Sequence, residues 1–320
     1  MSRSFFGFCS NVYVVEWRRS GLALTGLLIA VLGLVGSGPA AAEKDFSDVE
    51  IKVTKVSDQV AMLEGAGGNL GVCFGDDGVF LIDDQYAPLT EKIRAAVAGL
   101  SDQPIRFVFN THWHGDHTGG NEHLGETGSL IFSHANVRRR LANEQFTEFF
   151  DRTTEASPQG ALPVVTFTDS LTFHYNAEEI VCFHVPAAHT DGDGVIHFVG
   201  ANVVHSGDVV FYGLYPYIDV SAGGTIDGLI SGVRTVLSLC DEETRVIPGH
   251  GPLLGRGEIE EYLAMLEGVR QAVAGAAAGG KDLETVLAAK PAQPWDEQWG
   301  QVWLTSDQFV ELVYTSLPRN

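Results

Sequence analysis

The chain has 320 residues, is 45% hydrophobic and carries a formal net charge of −21. That length buries a full core, as one large domain or two small ones. A surface so acidic repels phosphate backbones and anionic lipid heads, which argues against nucleic acid and for a small-molecule substrate.

The N-terminus pairs Arg18 with Arg19, follows with an apolar run from Gly21 to Val35, and ends in the small residues Ser37-Gly38-Pro39-Ala40-Ala41-Ala42. This three-part pattern predicts a secretory signal over residues 1–42, cleaved after Ala40-x-Ala42 and before Glu43. The alternative is an uncleaved anchor, the run being near the short end of a spanning helix. The mature chain is then expected in the periplasm or outside the cell, with no stable membrane insertion. Residues 43–320 are expected to form one domain, with 273–320 as a C-terminal extension. Cys73, Cys182 and Cys240 have no C-x-x-C spacing; they predict neither a disulfide framework nor a cysteine metal site, and are expected to be buried apolar residues.

From Val49 to Asp84, short apolar stretches alternate with Gly, Asp and Asn, as successive antiparallel strands do. A helix is predicted from about Pro88 to Leu100, with proline near its first turn, and a strand over Arg106–Phe109 running into Asn110-Thr111-His112. A strand around Leu130–Phe132 and a helix from Ala135 to Phe150 follow, the latter broken at Ser157-Pro158-Gln159-Gly160. The second half returns to strands at Val164–Phe167, Leu171–His174, Glu179–Val185, Val195–Val199 and Asn202–His205. After Asp208 comes an aromatic, glycine-rich loop, Phe211–Tyr217. Helices over Ile226–Leu239 and Glu258–Ala272 flank a strand, Arg245–Ile247, that ends at Pro248-Gly249-His250-Gly251. Mixed strands with helices at intervals predict an α+β fold in which two sheets pack face to face with helices outside.

The strongest chemical signal is Thr111-His112-Trp113-His114-Gly115-Asp116-His117, which packs three imidazoles and a carboxylate into six residues directly after an apolar strand. No core needs that, and imidazole with carboxylate is the donor set that zinc prefers; iron or manganese accepts it too. Alternation puts His112 and His114 on one side of an extended segment, while Asp116 and His117, past the Gly115 bend, can face a second ion. Asp83 and Asp84 end an apolar strand, and Asp83 is the favoured candidate to orient a ligand imidazole. Tyr212, in the aromatic loop, is a candidate donor to a substrate carbonyl. The pocket walls are expected from Glu64–Asn69, Phe211–Tyr217 and Gln145–Pro163.

His-x-His-x-Asp-His after a strand, then Ala188-His189-Thr190, Ser206-Gly207-Asp208 and Pro248-Gly249-His250-Gly251, resembles the metallo-β-lactamase superfamily in order and spacing from about Val49 to Leu266. The resemblance implies a four-layer αββα sandwich with two zinc ions at one edge between the sheets. By that pattern His112, His114 and His189 hold the first zinc and Asp116, His117 and His250 the second, with Asp208 bridging them. It implies a hydrolase whose nucleophile is a water activated between the metals, with Asp116 and Asp208 as the catalytic carboxylates and Asp116 shuttling a proton. In length, signal segment and motif order the chain is similar to class B β-lactamases, which implies a β-lactamase-like hydrolase of a carbonyl compound (a β-lactam, lactone or other ester or thioester), with a lactonase or thioesterase as the alternative.

The fold hosts many chemistries and does not settle the substrate. In the common subclass of class B β-lactamases a cysteine stands where this chain has Asp208, and no lysine or serine pair near 208–215 is present to hold a β-lactam carboxylate. Asp208 makes the site look more like those of lactonases and thioesterases. A reading from a different class is a non-catalytic periplasmic zinc-binding accessory protein; its signature would be a lost ligand, and none of the seven is lost.

Overall fold

A computed structural model describes residues 45–318; the signal segment expected over 1–42 and its cleavage point lie outside the described residues. The first half opens with an antiparallel meander, β1 (Lys52–Lys55), β2 (Val60–Glu64), β3 (Leu70–Gly75) and β4 (Gly78–Ile82). Helix α1 (Thr90–Ala98) then carries the chain to β5 (Ile105–Asn110), parallel to β4. Two short helices, α2 (Gly115–Thr118) and α3 (Asn121–Glu126), lead to β6 (Leu130–His134) and α4 (Ala135–Leu141). A hairpin of β7 (Gln145–Thr147) and β8 (Arg152–Thr154) precedes β9 (Val165–Phe167), which closes a seven-stranded sheet in the order β1-β2-β3-β4-β5-β6-β9.

The second sheet has five strands in sequential order: β10 (Ser170–Tyr175), β11 (Glu178–His184), β12 (Gly194–Phe198), β13 (Val203–Phe211) and β14 (Arg245–His250). Helix α5 (Ile226–Ser238) makes the crossover that sets β14 parallel to β13. Helices α6 (Arg256–Ala277), α7 (Leu283–Ala288), α8 (Asp296–Trp299) and α9 (Ser306–Ser316) complete the chain. No helix among the described residues is long and apolar enough to cross a membrane.

Period-two alternation builds the layers. Val60 and Met62 on β2, Phe80 and Ile82 on β4, and Phe109 on β5 meet Ile180, Cys182, Ile196 and Ile247 of the second sheet in a central core. Their neighbours Ala61, Leu63, Val79, Leu81 and Val108 face the other way, onto Ile93 and Val97 of α1 and Leu124 of α3. On the far side, Val204 and Val209 pack against α5, α6 and α9. The result is the expected α+β sandwich of two sheets flanked by helices. Cys73, Cys182 and Cys240 are free and buried, as expected.

One expectation is corrected. The helix predicted from Ala135 to Phe150 ends at Leu141 and gives way to β7 and β8. The Gln145 side-chain amide bonds the backbone carbonyls of Arg140, Asn143 and Glu144, competing with helix continuation, and Asp151 turns the hairpin at φ 46°. In the tail, Trp299, Phe309 and Val313 are buried against α5 and α6.

Candidate metal centre

The cluster forms where the C-terminal ends of β4, β5 and β14 meet the bulged middle of β13. Strand β5 runs out at Asn110, and the next residues carry His112 and His114 before the turn at Gly115 opens α2 with Asp116 and His117. In β13 the register against β14 breaks on both sides of Gly207, whose φ is +49°, and the irregularity aims Asp208 into the site. An added Cβ on Gly207 would sit 2.7 Å from that of Thr111, so the close approach of the two loops requires glycine there.

His112, His114, His189 and Asp208 form one group of donors, and Asp116, His117 and His250 another; in each group the ligand atoms lie within 4.8 Å of one another. In the first, His114 Nδ1 is 3.1 Å from His112 Nε2 and 2.9 Å from His189 Nε2, and Asp208 Oδ2 is 3.6 and 3.5 Å from those two Nε2 atoms. In the second, Asp116 Oδ2 lies 3.7 Å from His117 Nε2 and 3.4 Å from His250 Nε2. Asp208 reaches both groups, with Oδ1 3.1 Å from His117 Nε2 and Oδ2 3.5 Å from His250 Nε2. All seven residues expected to bind metal are therefore brought together.

The outward nitrogen of four rings is held, which fixes the tautomer and leaves a lone pair facing inward. His117 Nδ1 donates to Asp83 Oδ2 at 2.7 Å, His114 Nε2 to Asp219 Oδ2 at 2.9 Å, and His189 Nδ1 to the Tyr217 carbonyl at 2.7 Å. His112 Nδ1 lies 3.0 Å from the Thr111 hydroxyl, which itself donates to Asp83. Inward lone pairs about 3 Å apart repel one another unless a cation lies between them. Nitrogens about 2.0 Å from a tetrahedral zinc stand roughly 3.3 Å apart, within the spread of these distances. His117 Nε2 and Asp208 Oδ1 are buried and make no hydrogen bond. Buried polar atoms of that kind are satisfied by a metal, so the residues present fit one.

The charges agree. Burial raises the pKa of Asp208, but His117, His250 and His112 outweigh it and hold the carboxyl well below its usual range. Asp116 is lowered too: burial opposes ionisation, and His117 and His250 overcome it. Burial lowers His112 far below its ordinary value and brings His189 to about 4, so both stay neutral donors. For His250 burial is outweighed by Asp208 and Asp116, which push it up to about 9. Protons and metal thus compete for this second group of nitrogens.

Asp83 stands where the sequence expects it, beneath His117. Tyr212 does not: its hydroxyl donates to Glu261 at 2.7 Å and its ring packs edge-on against Trp299. The donor expected to meet a substrate carbonyl is committed to a carboxylate on α6. Asp219 is the functional residue that sequence reasoning misses; the one available signal was an acidic residue closing the aromatic loop. His205 is buried outside the donor cluster and binds the Asn69 carbonyl at 3.2 Å and the Gly207 N–H at 3.2 Å.

Two of the expected walls, Glu64–Asn69 and Phe211–Tyr217, lie against the donors. Gly68 packs so closely on His117 that a Cβ would overlap the ring at 2.1 Å. Gln85 Nε2 holds the Gly68 carbonyl at 2.6 Å, and the Asn69 N–H bonds Gly249. Phe211 stacks on His250, with centroids 5.0 Å apart, and Tyr217 lies 5.9 Å from His114 and 5.8 Å from His189.

Residues 66–250 match the family model of the metallo-beta-lactamase superfamily. Among curated proteins the chain is 22% identical over 244 residues to 2,4-dinitroanisole O-demethylase subunit alpha of Nocardioides sp. (strain JS1661), covering 74% of this chain and 70% of that protein. It is 29% identical over 147 residues to hydroxyacylglutathione hydrolase of Gloeobacter violaceus, covering 43% of this chain and 50% of that one. Among solved structures it resembles a metallo-beta-lactamase from Pontibacter korlensis, with a TM-score of 0.56 and 19% identity, over 68% of this chain and 99% of that chain. With the motif order, the sandwich and the grouped donors in agreement, this chain belongs to the metallo-beta-lactamase superfamily.

Proposed function

We propose that the protein is an exported hydrolase that holds two zinc ions and cleaves a lactone, ester or thioester. The carrying observation is Asp208, whose two carboxylate oxygens lie beside nitrogens of both donor groups and so can join two ions into one centre. Imidazole and carboxylate suit zinc, and once the second group has given up its protons two carboxylates facing five imidazoles favour a divalent cation. His112, His114 and His189 would hold the first ion and Asp116, His117 and His250 the second. When bound, the pair supplies Lewis acidity toward a carbonyl oxygen and lowers the pKa of water.

The chain's own groups do the rest. Asp83, Asp219, Thr111 and the Tyr217 carbonyl keep the rings in register, so little reorganisation is needed during reaction. Asp116 Oδ2 sits between His117 and His250, part-exposed at the mouth, where it can take a proton from the attacking water and return it to the leaving group. The likeness to a hydroxyacylglutathione hydrolase supports carbonyl chemistry, while the chain spans only half of that protein's length. Export rests on the arginine pair, apolar run and Ala40-x-Ala42 box.

A second reading draws on the likeness to a protein named for acting on 2,4-dinitroanisole, an aryl methyl ether: cleavage at an aromatic ether carbon. The test is a hydrolysis panel on the zinc-loaded chain with a cephalosporin reporter, homoserine lactones, thioesters, a phosphodiester and an aryl methyl ether, with Asp208→Ala as control. Lactone, ester or thioester turnover that the control loses is expected. Turnover of the cephalosporin or phosphodiester alone would overturn the proposal, and ether cleavage alone would favour the second reading.

A further inference from the structure

Beyond the metal donors, the mouth of the site is walled by aromatic rings from three separate parts of the chain. Phe211, at the end of β13, is 1% exposed, and Tyr217 is 3% exposed; both lie against ligand histidines. Over them stand two rings that are open to solvent, Phe150 at 44% and Trp303 at 48% exposure. Phe150, from the turn between β7 and β8, has its centroid 5.0 Å from Tyr217 and 6.4 Å from Trp303. Trp303 lies 6.3 Å from Phe211 and 22° from parallel with it, and 6.2 Å from Tyr217. A continuous path of rings therefore runs from His250 through Phe211 to Trp303, and from His114 through Tyr217 to Phe150.

Trp303 lies beyond residue 250, where the match to the family model ends. It sits between α8 and α9, whose residues Trp299 and Phe309 are buried in the core, so its backbone is anchored while its indole stays half free. Water-facing tryptophan and phenylalanine side by side cost apolar hydration, and an aromatic partner covering them recovers it. Arg140 on α4 is bound bidentately to Asp191 at 2.8 Å through each nitrogen, whereas Arg152 on β8, two residues from Phe150, is exposed. The chain as a whole is strongly anionic.

We infer that the wall of Phe150, Phe211, Tyr217 and Trp303 selects substrates that carry an aromatic ring beside the reacting carbonyl, with Trp303 and Phe150 as the specificity-determining residues. This rests on the metal cluster being the reacting centre. The ring would lie on the open faces of Trp303 and Phe150 while the carbonyl reaches the metals past Phe211 and Tyr217. Trp303 acts on binding and leaves the chemistry to the ligand cluster.

The zinc-loaded full chain is tested in two ways. Binding of phenylacetamide and acetamide is followed by ligand-observed NMR, and hydrolysis of methyl phenylacetate and methyl acetate is measured in parallel. Phenylacetamide is expected to bind on the order of tenfold more tightly than acetamide. Trp303→Ala and Phe150→Ala should each remove most of that preference, raise KM for the phenyl ester alone and leave kcat within about twofold. Trp303→Phe should keep most of the preference. Equal binding of the two amides, or a preference that survives both alanine variants, overturns the inference. Hydrolysis of both esters without discrimination overturns it and leaves the hydrolase reading standing. Trp303-dependent discrimination between the amides with neither ester hydrolysed supports the wall and counts against the hydrolase reading.

Discussion

Asp83 and His117 are joined by a hydrogen bond of 2.7 Å in which both side chains are fully buried. The same carboxylate takes the Thr111 backbone N–H and hydroxyl, each at 2.8 Å, so one aspartate at the end of β4 grips both ends of the loop that carries His112, His114, Asp116 and His117. Its φ of 58° lies in the left-handed region, where a non-glycine residue needs surrounding structure to hold it.

Asp83→Asn keeps the size but removes the charge that strengthens His117 as a donor. The expected effect is a loss of about 10- to 100-fold in affinity for the metal at the His117 group. Asp219→Asn should weaken the His114 group instead. Competition against a chromophoric chelator, fitted for two sites, separates the two outcomes; equal effects on both sites would show that the carboxylates act only through general folding.

Gly249 lies so close to Asp208 that an added Cβ would stand 2.0 Å from Oδ1 and 2.7 Å from the Gly207 backbone carbon. Gly249→Ala must therefore displace the bridging carboxylate or the strand. A shift near 1 Å at a reacting centre costs on the order of 100-fold in rate, so kcat should fall by about that much. A variant with unchanged kcat and metal content would show that the Asp208 position is not critical.

Tyr212→Phe removes only a hydroxyl bound to Glu261 on the surface. Turnover of the best substrate is expected to stay within about twofold of wild type. A large loss of kcat would return Tyr212 to the site.

His134 stacks on His184 with centroids 3.8 Å apart, accepts the Asn136 N–H at the start of α4, and faces the Thr168 carbonyl. Burial, then His184, lowers its pKa to about 4. A neutral histidine with a depressed folded pKa contributes stability that is fully present above the unfolded value near 6.5 and is lost as pH falls toward 4. His205, lowered by burial to about 4, adds in the same direction. Thermal melts should drop across pH 6.5 to 4, and His134→Asn, which can still cap the helix but does not titrate, should flatten the slope. An unchanged slope would remove His134 from the explanation.

How much the sequence reveals depends on how local each feature is. His112, His114, Asp116 and His117 are legible because four donors fall within six residues, and the two-layer core is legible because alternation on β2 and β4 points successive side chains to opposite faces. Asp219 is hidden because its partner His114 lies 105 residues away, and its own neighbourhood carries no motif. The hairpin after Leu141 escapes because its apolar and charged residues also fit a helix, and a side-chain amide, Gln145, decides against it. Tyr212 misleads because loop membership does not say which way a hydroxyl points. Trp303 carries no local motif, and only the fold sets it beside Phe150, Phe211 and Tyr217.

The most direct measurement is the metal content of the purified chain after chelation and reloading with zinc, taken with its hydrolytic rate, for wild type and Asp208→Ala. Two zinc ions per wild-type chain are expected, with the variant retaining one or fewer and losing hydrolysis. Fewer than two in the wild type, or a variant that keeps both ions and its full rate, would contradict a centre bridged by Asp208.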